Sequence, residues 1–194
     1  MKTGVFLCGL LLVILLLITS CTTAINSKSE VSSDPSLLLG FWKQEKQYNW
    51  NNETKNWEPG LVLENGTITD TLPEPSYREF IKGIPKYIPV ESCPVDPTEK
   101  GIEYFTMMPG GCFRYYGGIR LEFIPMQDAL GSGYTDWVLK GESQEILELE
   151  TTVLDETGAV FDQSKAIFTR TTKEEAEKFG WISPENIPQN TKLS

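Results

Sequence analysis

Few residues in this chain have the type and spacing that chemistry requires. There is no histidine among its 194 residues, which removes Ser-His-Asp and Cys-His catalysis together with His-ligated zinc and haem. Carboxylates remain. Glu148 and Glu150 fall on one face of a strand-like run, as a general acid/base pair would require. Their alternation with Leu147 and Leu149 is also the pattern of the solvated face of a half-buried strand, and that is the stronger reading. No calcium loop, phosphate-cradling glycine loop or nucleophile elbow is written in the sequence, so neither metal nor cofactor is expected. Four cysteines complete the inventory, Cys8, Cys21, Cys93 and Cys112.

The first cysteine belongs to the leader and the second follows directly after it. Met1-Lys2 is followed by an apolar run from Val5 to Ile18 and then Ile18-Thr19-Ser20-Cys21, the build of a secretory signal peptide. At roughly 15 residues the run is shorter than the ~20 that span a bilayer. The four-residue ending resembles the lipobox of bacterial lipoproteins, and the resemblance implies cleavage before Cys21 and lipidation of its thiol. Acyl chains there would hold the protein on a membrane at ~0.8 kcal/mol per buried methylene. Thr22 is not the aspartate of inner-membrane retention, which favours the outer membrane and leaves the face open. In an oxidising envelope, Cys93 and Cys112 form a disulfide or stay as two free thiols. They lack a C-x-x-C spacing and a histidine partner for thiol chemistry, and the bridge is favoured.

Charge sets a further limit. The net charge of −10 repels nucleic acid and anionic head groups. Residues 1–20 are thus read as signal peptide and 21–36 as a lipidated, flexible tether with too little apolar surface to order itself. Residues 37–180 form one domain and 181–194 an extended tail.

The domain reads as all-β. From Trp42 onward, Trp42, Gln44, Lys46, Tyr48 and Trp50 share one parity and are expected on one strand face. Asn49 to Trp57 then reads as a polar loop. Asn65-Gly66 between Leu61-Val62-Leu63 and Thr67-Ile68-Thr69 predicts a two-residue type I′ hairpin, with both turn residues at positive φ. Residues 112–124 predict a second hairpin and residues 146–171 a third, with Leu147, Leu149, Thr151 and Val153 on one face. Seven prolines between residues 72 and 109 confine strands there to edges and ends, with short strands at 77–82 and 101–107. Thr172-Lys173-Glu174-Glu175 is a capping box opening a short helix that stops at Gly180.

The stretch Leu38-Leu39-Gly40-Phe41-Trp42 has the form L-x-G-x-W, and Arg170 lies in the last strand-like run. This arrangement resembles the lipocalin-like (calycin) barrels. The resemblance implies a single antiparallel up-and-down β-barrel closed by Gly40, Trp42 and Arg170, with Arg170 packed over the indole and a short C-terminal helix. It also implies a small apolar or amphipathic ligand in the barrel, bound without catalysis. The aromatics placed to line such a cavity are Trp50, Trp57, Tyr115, Phe123, Trp137 and Phe168; the same residues equally fill a packed core. Residues 130–141, Leu-Gly-Ser-Gly-Tyr-Thr-Asp-Trp-Val-Leu-Lys-Gly, are in turn similar to the contact loop of C-type lysozyme-inhibitor lipoproteins. That resemblance implies a second reading, a module that binds a protein partner through this loop; the other account is a glycine-rich turn entering a strand.

Overall fold

A computed structural model describes residues 33–88, 93–95, 98–124 and 132–182. The leader, Cys21, most of the tether, Leu130, Gly131 and the end of the tail lie outside these residues. The described chain opens with a 3₁₀ turn, Pro35–Leu38, and continues as β1 (Gly40–Asn51), β2 (Asn56–Pro59), β3 (Leu61–Val62), β4 (Ile68–Thr69) and β5 (Thr71–Lys82). After an irregular segment come β6 (Glu103–Met108), β7 (Gly111–Tyr115) and β8 (Arg120–Phe123). β9 (Ser132–Lys140), β10 (Ile146–Leu154), β11 (Val160–Thr171) and the helix α1 (Lys173–Lys178) follow.

Strands β5 to β11 run as an antiparallel meander, β1 lies beside β5, and β11 returns to pair with β1. The result is a closed antiparallel barrel of eight strands, the expected fold class. Closure leaves its sheet without an edge. β2 folds back on the far end of β1, and β3–β4 is a separate two-stranded ribbon.

Ladder partners share a face, so the register tells inside from outside. Leu147, Leu149 and Thr151 face inward with Phe168, Ala166 and Ser164, while Glu148 and Glu150 point outward opposite Ile167 and Lys165. Phe80, Phe105, Phe113, Leu121, Trp137, Leu139, Leu147 and Phe168 are almost wholly buried with Trp42 and Leu38 in one core.

The floor is built on Trp42. Its indole N–H donates to the Leu38 carbonyl at 2.7 Å, and Leu38, on the 3₁₀ turn, plugs the barrel with no exposed surface. Arg170 lies across the indole with its guanidinium carbon 4.1 Å from the ring centroid. From there it donates to the carbonyls of Leu39 and Leu37, tying last strand to first turn. Gly40 is needed here for its backbone. Its φ is +108°, and a Cβ would meet nothing closer than Arg170 at 3.7 Å. It turns the chain from plug to strand; it does not make room for the indole.

One irregularity in β1 reorganises the rest. Gln44 pairs with Phe168 and Lys46 with Ile167, so Glu45 is an extra residue, a β-bulge. Beyond it the faces exchange: Gln47 and Asn49 point inward, and Lys46, Tyr48 and Trp50 outward. The expected single face from Trp42 to Trp50 therefore breaks after Gln44. The expected polar loop at 49–57 is instead the end of β1, a tight turn and β2, with Trp50 opposite Trp57.

Four further features differ from the sequence reading or match it. The Asn65-Gly66 turn has only Gly66 at positive φ, +81°. The Gly66 N–H donates to the Leu63 carbonyl and the Leu63 N–H to that of Thr67, so the loop has one residue more than a type I′ hairpin. Pro73 and Pro75 sit inside the long β5, in a part that does not pair with β6, where a missing N–H costs no ladder bond. As expected, Cys93 and Cys112 are disulfide-bonded, 19 residues apart in sequence. They form a small buried cluster with Ile124 outside the barrel wall. Such a loop is worth about 3 kcal/mol on the chain-entropy model. Helix α1 is capped by Thr172, whose hydroxyl accepts from the Glu175 N–H. It follows the last strand at the plug end, and Phe179 just beyond it stacks on Tyr77 at 5.9 Å.

The floor interactions lead to a measurable coupling. Arg170→Ala should lower the unfolding free energy by about 1–2 kcal/mol, and Trp42→Ala by about 3–5 kcal/mol. In a double-mutant cycle followed by denaturant unfolding, the two losses should be non-additive by roughly 0.5–2 kcal/mol. Strict additivity would mean that Arg170 does not act through the indole.

Candidate functional site

The barrel interior divides in two along its axis. Around the plug it is filled by the aromatic and aliphatic core. Away from the plug it is lined by polar side chains that the ladders turn inward: Gln44 and Gln47 from β1, Ser76 and Arg78 from β5, Thr135 from β9 and Thr151 from β10. These side chains bond to one another in pairs. Gln44 Nε2 donates to Gln47 Oε1 at 2.8 Å, Arg78 Nη1 to Ser76 Oγ at 3.0 Å, and the Thr135 and Thr151 hydroxyls lie 3.0 Å apart. Residues three apart in a strand share a face only across a bulge, so the Gln44–Gln47 pair exists because of Glu45. Three small residues, Gly111, Gly133 and Ala166, also face inward. The ring of Phe123 rests in front of Gly111 and Gly133, where added Cβ atoms would stand 3.8 Å and 3.3 Å from it.

The six aromatics expected at a ligand are not brought together. Trp137 and Phe168 are buried in the packed half of the interior. Tyr115 is at the plug end, where its hydroxyl donates to the carbonyls of Ser33 and Gly118. Phe123, packed on Phe113 at 4.9 Å, lies in the polar half. Trp50 and Trp57 are on the outer wall, edge to face at 5.3 Å, with Lys165 Nζ 4.6 Å above the Trp57 ring. The parity exchange at Glu45 puts them there.

The segment expected as a contact loop is also different. From Ser132 onward it is strand β9, with Trp137 fully buried and Tyr134 flat against the wall under Arg120, 3.6 Å away. Leu130 and Gly131 lie outside the described residues. The carboxylates Glu148 and Glu150 are on the outer face, paired with Lys140 at 2.7 Å and Lys165 at 2.6 Å. Among the described residues no three His, Cys, Asp or Glu side chains gather as a metal site would require.

Arg78 was not singled out by its sequence context, although it shares parity with the buried Phe80 two residues on. That is the signal that could have found it: a cation on the core face of a strand. Burial lowers its pKa, yet an arginine keeps its charge in such a place.

A second electrostatic feature lies outside, next to β3–β4. The Asp70 carboxylate accepts from Lys46 Nζ at 2.7 Å and from the Tyr48 hydroxyl at 2.6 Å, and the Asp70 carbonyl accepts from the Gln47 N–H. Lys46, then Tyr48 and Thr71, hold this carboxyl far below the usual range. The cluster fastens the excursion between β1 and β5 to the wall.

Comparison with protein-family models, with curated proteins and with solved structures gives no match to this chain. The closed eight-stranded antiparallel barrel is consistent with a lipocalin-like fold.

Asp70 makes acid stability the property to measure. Its folded pKa lies below the unfolded value of about 4, so its contribution is complete above pH 4 and lost as pH falls through the folded pKa. Thermal melts should show wild-type stability falling more steeply than that of Asp70→Asn from pH 4 downward. Parallel curves would show that the cluster is not linked to folding.

Proposed function

We propose that this chain is a lipocalin-like, lipid-anchored binding protein of a bacterial cell envelope, holding a small ligand in the polar half of its barrel without turning it over. The observation that carries the reading is the inward polar lining opposite the plug. A barrel that only had to fold would fill both halves with apolar side chains, because each incompletely satisfied buried polar group costs about 1–3 kcal/mol. Small barrels either pack their interiors or hold one small ligand; this one packs half and lines the other half with hydrogen-bonding groups.

The Trp42–Arg170 floor supports the lipocalin-like assignment. The absence of histidine supports binding over turnover. The anchor rests on Ile18-Thr19-Ser20-Cys21. Because the aromatic half is packed, the ligand that suits the remaining interior carries polar groups; a wholly apolar one does not.

Native mass spectrometry of the full chain purified from cells should find a co-purifying small molecule. Ser164→Trp, placing an indole between Asn49 and Thr151 on the inner face, should lose it with the melting temperature changed by only a few degrees. A ligand retained by that variant would move the site out of the barrel. For the anchor, intact mass should give an N-terminus at an acylated Cys21, and Cys21→Ser should abolish the acyl mass. A mature protein beginning at any other residue would remove lipidation from the proposal.

A further inference from the structure

The polar half of the interior holds a cation, Arg78. Arg78 is inward-facing, in register with the fully buried Trp42, and its guanidinium leans toward Ser76, away from the plug. It spends Nη1 on the Ser76 hydroxyl at 3.0 Å and on the Tyr77 carbonyl at 3.1 Å. Both are neutral acceptors. Among the described residues no carboxylate pairs with it, although Lys43, Lys46, Lys82, Arg114, Arg120, Lys140 and Lys165 each have an acidic partner. Among the described residues its Nε and Nη2 have no protein acceptor.

An inward cation with two idle donor nitrogens presents the planar fork that binds oxyanions two-handed.

We infer that the barrel binds an organic acid, its oxyanion seated on the Arg78 guanidinium and its hydroxyl or amide groups on the Gln44–Gln47 and Thr135–Thr151 pairs. The inference rests on the reading of the lumen as a ligand site and specifies the chemistry of that ligand. The net charge of −10 acts against polyanions at long range, so a small acid with one or two charges is the class that fits.

The experiment follows arginine side-chain Nε–H resonances of the full chain during titration with three probes: D-gluconate, its neutral counterpart D-glucitol, and inorganic phosphate. The Arg78 resonance is assigned by its loss in Arg78→Gln. Gluconate should shift it saturably and bind at least tenfold more tightly than glucitol, and Arg78→Gln should weaken gluconate by about tenfold or more. A saturable shift with phosphate alone would keep the oxyanion site and assign it to an inorganic anion. Equal affinity for gluconate and glucitol, or none of either oxyanion at the Arg78 resonance, would overturn the inference. If Arg78→Gln fails to fold, Arg78→Lys takes its place, with the same loss of two-handed binding expected. Failure here is distinct from failure of the lumen reading, which the Ser164→Trp variant and the co-purifying molecule report separately.

Discussion

One side chain brings the two ends of this fold together: Trp42, whose indole N–H donates to the Leu38 carbonyl four residues earlier and whose ring lies under Arg170 of the last strand. A buried indole N–H left without an acceptor is costly, and the 3₁₀ turn supplies the acceptor for Trp42 while plugging the barrel. Arg170 then covers the ring and takes two further carbonyls of the same turn. Plug, first strand and last strand thus meet around one side chain. The closure of the barrel, and with it the existence of an inside, depends on that meeting.

Above the floor, one inserted residue decides the character of the interior. Without Glu45 as a bulge, the parity of β1 would send Lys46, Tyr48 and Trp50 inward and Gln47 and Asn49 out. The barrel would contain two large aromatics and a lysine with no counter-ion in place of two amides. The bulge instead delivers Lys46 and Tyr48 to Asp70 on the outer wall and leaves a polar, small-residue interior beside Arg78. Apolar packing and polar lining are divided along the barrel axis.

How much of this was legible depended on whether apolar residues marked the register. In β10 the alternation of Leu147 and Leu149 with Glu148 and Glu150 states which face is buried, and the structure agrees. Trp42 and Arg170 met as the resemblance to lipocalin-like barrels implied, and the Thr172 cap formed where the capping box stood. The run Lys43-Gln44-Glu45-Lys46-Gln47 has no apolar residue at all. Nothing in its pattern distinguishes a regular strand from a bulged one, so the faces beyond it were assigned the wrong way round. The two prolines in β5 misled for a related reason. Proline excludes a strand only where a neighbour needs its N–H, and that depends on pairing that no local sequence records. Arg78 was legible in principle from its parity with Phe80, but a cation on a core face stands out only once the interior is known to be half polar.

The Arg170–Leu37 contact spans 133 residues of chain and the Thr169–Glu45 bond spans 124. During synthesis the strand that opens the barrel therefore waits for the strand that closes it. At 5–20 residues per second, that interval is roughly 6–25 s. Through it, one edge of β1 is unpaired and the Trp42 indole lacks its cover, while the meander from β5 to β10 already has neighbouring partners. Ring closure is the slow, non-local event here, and its entropy must be overcome before the floor contacts reward it. A barrel sealed by its first and last strands is one whose earliest residues are the last to find their place.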